Sequence, residues 1–341
     1  MTCKRTFLLT GCVLFGTLWT NELFGQDQVR KAGTKARSDC STLSRSPIPC
    51  APIPEVKAVS GEDEFLFRAK VEEVSLHATV TDKKRRQVMD LERGNFTVYE
   101  DGKPQEITSF RHEDVPVAMG IVIDNSGSML DKRDRVNKAA MNLILASNRQ
   151  DQLFVVNFND RYHVDQDFTG NIAELEEALG KIRSSGGTAL YDALIAAAHH
   201  LNTSQLQKKI IIVVTDGEDN VSSQSLHQTV ELLQHENGPT VYAIGILASD
   251  SPKRARQALE AIAEGTGGIA FTPKTVDRVD QISAMVAHDI RGQYTLAYKP
   301  SNRPSNGGYR RIRVEAKARG HKDLVVRTRS GYYAGAERAA R

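Results

Sequence analysis

The sequence of 341 residues predicts an α/β protein in which a doubly wound, mostly parallel sheet is inserted into a small β-sandwich. The central sheet is predicted because strand-like apolar runs alternate with helix-spaced segments over residues 113–292. The sandwich is predicted because residues 64–112 and 293–335, on either side, show the period-two alternation of half-buried strands. Polar, oxygen-bearing residues that follow two of the central runs point to a ligand site.

The N-terminus predicts an export signal over residues 1–25. Two basic residues precede a short apolar stretch, residues 7–19, which ends before a small-residue cleavage site at Gly25. The stretch is too short for a comfortable membrane span. Leu9-Thr10-Gly11-Cys12 also fits a bacterial lipobox, which would place a lipid anchor on Cys12. We favour secretion without the anchor; an uncleaved anchor is a third reading.

Residues 26–63 predict a flexible linker rich in Pro and Ser. Their polar composition cannot bury enough apolar surface to offset the entropy of ordering the chain. Cys40 and Cys50 lie in this segment and suit an oxidising compartment. A local disulfide between them and two free thiols both fit the sequence.

The charge distribution gives no sign of nucleic-acid binding. The formal net charge is only +3, and charges of both signs are interspersed. The basic stretch 310–313 alternates with apolar residues, and we interpret its arginines as the solvated face of a strand.

The flanking segments predict a shared sandwich. In the N-terminal segment the predicted strands are 65–71, 74–80, 96–100 and 105–110, with a turn at Asp101-Gly102. In the C-terminal segment they are 294–298, 309–314 and 324–328, followed by a tail, 336–341. Each half alone would expose an apolar face, so we predict that the halves join. Separate packing of two β extensions is the alternative.

The central segment predicts helices on both faces of the sheet, because crossovers between parallel strands are right-handed. The predicted strands are 117–123, 153–158, 162–168 (an antiparallel edge), 210–215, 240–246 and 269–272. The predicted helices are 133–147, 172–183, 189–201, 223–235, 252–264 and 275–291.

One motif carries the prediction of a site. Asp124, Ser126 and Ser128 follow the first central strand on alternate residues, Thr188 precedes a helix, and Asp216 ends another strand. Because strand ends meet at one edge of such a sheet, these oxygen atoms can converge on one hard divalent cation. The alternative is that Asp124 and Ser126 only cap the next helix.

The spacing Asp-x-Ser-x-Ser, then Thr, then Asp, resembles the metal-ion-dependent adhesion site of von Willebrand factor type A domains, whose sheet is Rossmann-like. The resemblance covers residues 114–292. The flanking stretch 95–105 and the closing Gly331-Tyr332-Tyr333 resemble a bacterial secreted subfamily with β segments on both sides of the type A domain.

The resemblance implies that Asp124, Ser126, Ser128, Thr188 and Asp216 hold Mg²⁺ or Mn²⁺ and leave one coordination position for an Asp or Glu of a protein partner. Integrin β subunits bind a further metal through two consecutive acids after the motif. This chain has Asp131-Lys132 there, so no second metal is predicted.

The sequence therefore favours a binding protein, secreted, periplasmic or held at the bacterial envelope, and not an enzyme. No Gly-x-Ser-x-Gly elbow, histidine triad context or P-loop is present in the sequence. Two alternatives remain: a Mg²⁺-dependent hydrolase that uses the same crevice, and a scaffold of an envelope complex. The mature chain is predicted to lack a membrane span.

Overall fold

The computed structural model describes residues 73–112, 114–180, 184–247, 253–302 and 308–335. The predictions for the signal segment, Cys12, the linker with Cys40 and Cys50, the strand 65–71 and the tail 336–341 lie outside these residues. The boundaries proposed for the segments remain predictions. The fold class is confirmed, because the described residues form a central, mostly parallel sheet and two antiparallel sheets.

The central sheet has six strands in the order β10-β9-β8-β5-β6-β7. All neighbours are parallel except β6 and β7, so the predicted antiparallel edge strand is confirmed. The strands are β5 (Val117–Asp124), β6 (Gln152–Phe158), β7 (Tyr162–Thr169), β8 (Lys208–Thr215), β9 (Thr240–Gly245) and β10 (Ala270–Phe271). Every residue of β5 is buried, as expected of a strand covered by helices on both faces.

Helices cover both faces of this sheet, as right-handed crossovers require. The helices are α1 (Arg133–Leu145), α2 (Ile172–Gly180), α3 (Leu190–Leu201), α4 (Leu226–Leu233), α5 (Lys253–Thr266) and α6 (Val279–Arg291). One buried cluster joins the sheet to α1, α2 and α6, and a second joins it to α3, α4 and α5. Helix α4 starts later than predicted because Ser225 and Gln228 form a capping box at its N-terminus.

The flanking strands build two four-stranded sheets, with the orders β13-β1-β11-β4 and β14-β12-β2-β3. These strands are β1 (Val74–Thr81), β2 (Phe96–Glu100), β3 (Lys103–Gln105), β4 (Ile107–Arg111), β11 (Tyr294–Tyr298), β12 (Tyr309–Ala316), β13 (Val325–Arg327) and β14 (Gly331–Tyr333). Strand β11 pairs with both β1 and β4, and β12 pairs with β2. N-terminal and C-terminal strands therefore share each sheet, as the joint sandwich predicts.

The core of the sandwich lies between these two sheets. Leu76 and Leu296 from one sheet and Val98 and Val314 from the other belong to a single buried cluster. This arrangement is a sandwich core, because alternating residues of both sheets face inward.

The prediction of a single strand over residues 105–110 was wrong. The single strand 105–110 is two strands, since β3 pairs with β2 in one sheet and β4 pairs with β11 in the other. The chain crosses between sheets at Glu106. The Asp101-Gly102 turn is present, with φ angles of 49° and 80°.

Arg310 is also not solvated. Its side chain is buried, and Nη1 lies 3.1 Å from Oε1 of the fully buried Glu100. The same carboxylate accepts hydrogen bonds from the hydroxyls of Tyr298, at 2.6 Å, and Tyr332, at 2.8 Å. A buried carboxylate is stable only with such partners. Glu100 thereby links β2 to three C-terminal strands.

Candidate metal site

The site lies where the chain reverses its direction of travel across the central sheet. From β5 the chain first adds β6 and β7 on one side, then β8, β9 and β10 on the other. The carboxyl ends of β5 and β8 are therefore adjacent, and Ile123 is in register with Val214. Open α/β sheets bind ligands in the crevice at such a point.

Three of the predicted side chains form a continuous hydrogen-bonded row in this crevice. The hydroxyl oxygens of Ser126 and Ser128 lie 3.1 Å apart. The hydroxyl of Ser128 donates to Oδ1 of Asp216 at 2.8 Å. Ser126 and Asp216, at the two ends of the row, are buried, whereas Ser128 in the middle is exposed, so the row reaches the mouth of the crevice at Ser128.

Asp124 lies beneath this row and is fully buried. Its Oδ1 accepts from the backbone N–H of Ser126 at 2.7 Å, and its Oδ2 accepts from the hydroxyl of Thr215 at 2.6 Å. Burial raises the pKa of Asp124 above its ordinary value, although both hydrogen bonds oppose the shift; the nearby charge of Asp216 raises it further. A buried carboxylate held in this way favours a compensating cation.

Thr188 reaches the site from a separate loop. Its backbone N–H donates to Oδ1 of Asn220 at 2.9 Å, and its own carbonyl accepts from the N–H of Asn220 at 3.1 Å. Its Oγ1 would lie 3.5 Å from a Cβ added at Gly217, which directly follows Asp216. The hydroxyl of Thr188 is therefore beside the strand end that carries Asp216.

Two glycines allow this loop to approach. Gly186 has a φ of 79°, and a Cβ there would meet Oδ2 of Asp160 at 2.2 Å. Its carbonyl accepts from the N–H of Gly127 at 3.2 Å, and Gly187 donates its N–H to Oδ1 of Asp160 at 2.7 Å. A side chain at either position would collide with the Asp160 carboxylate that holds the Thr188 loop.

The side chain of Ser126 does not cap a helix, contrary to the alternative role predicted for Asp124 and Ser126. Ser126 precedes a 3-10 helix, Gly127–Lys132, and makes no side-chain capping hydrogen bond. Helix α1 begins only after Lys132, which also makes none. The carboxylate of Asp124 is instead bonded to the N–H of Ser126 and the hydroxyl of Thr215, and the hydroxyl of Ser126 to that of Ser128.

Two cationic side chains flank the carboxylates. Lys132 donates from Nζ to Oδ2 of Asp216 and lies 3.3 Å from the carbonyl of Ser128. Arg133 is buried and donates to Oδ1 of Asn157 and to the carbonyl of Leu179, each at 3.2 Å. Burial lowers the pKa of Arg133, while the carboxylates of Asp165 and Asp124 raise it.

The sequence prediction missed three residues that position the site: Thr215, Asn220 and Lys132. Thr215 precedes Asp216 in the strand-end triplet, and strand alternation points its side chain to the opposite side from Asp216. That alternation was the available signal for Thr215. No sequence signal indicated the contact of Asn220 with Thr188 or that of Lys132 with Asp216, because each contact depends on how the loops fold back.

The donor set fits a hard divalent cation. Two carboxylates and three hydroxyls provide oxygen ligands only, which is the preference of Mg²⁺ and Mn²⁺. Among the described residues no group of three or more His, Cys, Asp or Glu side chains could hold a metal ion.

Sequence comparison agrees with this geometry. Residues 119–218, which include all five candidate ligands, match the profile of the von Willebrand factor type A domain. The similarity to a type A domain is therefore shown for residues 119–218. No curated protein gives a significant match.

Several solved structures resemble parts of this chain. Proximal thread matrix protein 1 from the mussel byssus is 22% identical over 56% of this chain and 51% of its own, with a TM-score of 0.47. Another structure of that protein, with a zinc-occupied MIDAS motif, is 20% identical over 56% of this chain and 50% of its own, with a TM-score of 0.48. A von Willebrand factor type A protein from Catenulispora acidiphila is 16% identical over 76% of this chain and 73% of its own, with a TM-score of 0.46. The chain spans about half the length of the mussel protein.

Proposed function

We propose that this protein binds a protein partner through one Mg²⁺ or Mn²⁺ held in the type A domain. Asp124, Ser126, Ser128, Thr188 and Asp216 would hold the cation, and an Asp or Glu of the partner would complete its coordination. The hydrogen-bonded row from Ser126 through Ser128 to Asp216 carries this proposal, because it aligns oxygen ligands from two distant parts of the chain at the switch point.

The mouth of the crevice suits a protein ligand. When bound, the cation would offer a coordination position to a carboxylate oxygen of the partner, a ligand that hard divalent cations prefer. Leu130, two residues after Ser128, and Val221 are 65% and 47% exposed. Val221 is next to the Thr188 loop, with Cγ1 3.3 Å from a Cβ added at Gly187. Exposed apolar side chains around a polar centre are a common feature of binding surfaces.

Recognition is favoured over catalysis because the acidic side chains around the crevice already have structural partners. Asp160 accepts from Gly187, and Asp219 accepts from the N–H of Tyr191 and the hydroxyl of Ser222. Glu218 forms an ion pair with Arg254. A general base must be able to take a proton from a substrate, and these side chains are committed to holding loops. We therefore propose that the protein is not an enzyme.

The proposed location is outside the cytoplasm, in the periplasm, the envelope or the medium of a bacterium. The proposal rests on the predicted signal segment, residues 1–25. Within the part of the chain that the structure describes, no helix has the length and apolarity needed to cross a membrane.

The test combines metal binding with partner capture. Wild type, Ser128→Ala and the control Ser109→Ala, which lies in β4 of the sandwich, are titrated with Mg²⁺ by calorimetry. Each is then used to capture proteins from native envelope extract in Mg²⁺ or in chelator. We expect Mg²⁺ binding and Mg²⁺-dependent capture by wild type and Ser109→Ala, and loss of both in Ser128→Ala.

Capture that persists in chelator would contradict the proposal, as would wild-type protein that binds no Mg²⁺. Circular dichroism in chelator separates the scaffold alternative, in which removal of the metal would unfold the domain. A screen of ester and phosphate substrates addresses the hydrolase; Mg²⁺-dependent turnover that Ser128→Ala abolishes would replace binding with catalysis.

A further inference from the structure

Lys132 is not one of the five candidate ligands, yet it contacts one of them. Its Nζ donates to Oδ2 of Asp216, whose side chain is fully buried, while the Lys132 side chain is 30% exposed. The same ammonium lies 3.3 Å from the carbonyl of Ser128. Lys132 therefore contacts both Ser128 and Asp216, the two residues that are joined by the hydrogen bond from the Ser128 hydroxyl.

The local backbone explains this position. Lys132 is the last residue of the 3-10 helix that starts after Ser126, and α1 begins at the next residue. Lys132 follows Ser128 by four positions, and its Nζ reaches back over the turn to the Ser128 carbonyl. Arg133, the next residue, turns into the interior toward Leu179, so the two neighbouring cations serve different places.

Both oxygen atoms of Asp216 have a donor in this arrangement. Oδ1 accepts from Ser128 and Oδ2 accepts from Lys132. A divalent cation that uses the same carboxylate would lie within a few ångströms of the ammonium. Like charges at that distance repel, and the burial of the Asp216 side chain strengthens the repulsion. The cation and the Lys132 ammonium therefore compete for one carboxylate.

We infer that Lys132 is a built-in competitor that lowers the divalent-cation affinity of this site. The inference rests on the proposed metal site and specifies what sets its affinity. The ion pair between Lys132 and Asp216 stabilises the domain without metal, and it must open or shift when the cation binds. If only molecules with an open ion pair bind the cation, the apparent affinity for the cation is the intrinsic affinity multiplied by the fraction of open molecules.

The test is a calorimetric titration with Mg²⁺ at constant ionic strength on the full chain. Lys132→Met keeps the aliphatic stem and removes the charge. Lys132→Arg restores a cation, and Lys138→Met removes an exposed charge from α1 as the control. We expect Lys132→Met to bind Mg²⁺ about 10-fold more tightly than wild type, since competition by a partly buried ion pair is removed. Lys132→Arg and Lys138→Met should bind like wild type.

A second readout follows thermal unfolding in chelator and in saturating Mg²⁺. Loss of the ion pair should lower the Tm of Lys132→Met in chelator, and Mg²⁺ should raise its Tm by more than it raises that of wild type. A purely structural lysine would lower the Tm equally in both conditions. Lys132→Gln replaces Lys132→Met if the latter does not fold.

Equal or weaker Mg²⁺ binding by Lys132→Met, with wild type binding Mg²⁺, would overturn the role of Lys132 and leave the proposed function intact. If neither wild type nor any variant binds Mg²⁺, the proposed metal site is wrong, and the inference about Lys132 is wrong with it.

Discussion

The hydroxyl of Ser128 donates a hydrogen bond to Oδ1 of Asp216 at 2.8 Å, although the two residues are 88 positions apart in the chain. The contact exists because β5 and β8 are neighbouring parallel strands whose carboxyl ends coincide. It brings the Asp-x-Ser-x-Ser loop and the second strand end into one crevice. The proposed binding of a cation and of an acidic partner depends on this contact.

Replacement of Asp124 by Asn should separate metal binding from folding. Asn keeps an oxygen for the N–H of Ser126 but removes the buried charge. Because burial raises the pKa of Asp124, the ionised carboxylate destabilises the folded protein relative to the unfolded chain. We expect Asp124→Asn to bind Mg²⁺ at least about 10-fold more weakly. In chelator it should be no less stable than wild type, as measured by calorimetry and urea unfolding. Unchanged Mg²⁺ affinity would mean that Asp124 is not a ligand.

Thr215 should act as a positioning residue. Its hydroxyl donates to Oδ2 of Asp124 at 2.6 Å. Thr215→Val preserves the shape but leaves that buried oxygen without its donor, which should lower the free energy of unfolding by about 1–3 kcal/mol. Mg²⁺ affinity should fall by about 10- to 100-fold, as for other residues that orient metal ligands. Thr215→Ser should restore both quantities; failure of Ser to restore affinity would exclude the hydroxyl as the cause.

The Arg310–Glu100 pair should hold the sandwich together. Arg310→Met leaves the fully buried Glu100 with only the two tyrosine hydroxyls. Removal of one partner of a buried ion pair should lower the free energy of unfolding by about 3–5 kcal/mol in urea denaturation. The control is Arg313→Met on the exposed face of the same strand, where the expected loss is under about 1 kcal/mol. Equal effects of both changes would show that the interior pair is dispensable.

Stability should rise with pH through the titration of Lys208. Burial, and then the nearby charge of Arg291, lower the pKa of Lys208 to about 8 from its ordinary 10.5. Between these values the unfolded chain holds more protons than the folded protein, so the free energy of unfolding increases with pH. Below pH 8 both states are protonated, and this contribution is absent.

The measurement compares wild type with Lys208→Met between pH 7 and pH 10. The free energy of unfolding of wild type, minus that of Lys208→Met, should increase by up to about 3 kcal/mol between these pH values. Lys209→Met is the control, since Lys209 is the next residue of β8 and its Nζ contacts Oδ1 of Asn202. A pH-independent difference between wild type and Lys208→Met would mean that the two states titrate alike.

Much of the fold could be predicted because strand and helix periods are local properties of the sequence. The buried run of β5 and the turn at Asp101-Gly102 are examples. The crossing of the chain between sheets at Glu106 could not be predicted, since alternation does not reveal which sheet a strand joins. The burial of Arg310 was missed for a related reason: its partner Glu100 lies 210 positions away.

The five candidate ligands could be placed because each lies at a strand or helix end, where the topology itself brings residues together. The supporting contacts of Lys132 and Asn220 could not be placed, because they depend on side-chain directions in folded loops.

The most direct test is anomalous diffraction from crystals grown with Mn²⁺. A single strong peak is predicted in the crevice, about 2 Å from the hydroxyl oxygens of Ser126 and Ser128. A peak bound by other residues, or no peak in this crevice at saturating Mn²⁺, would contradict the account.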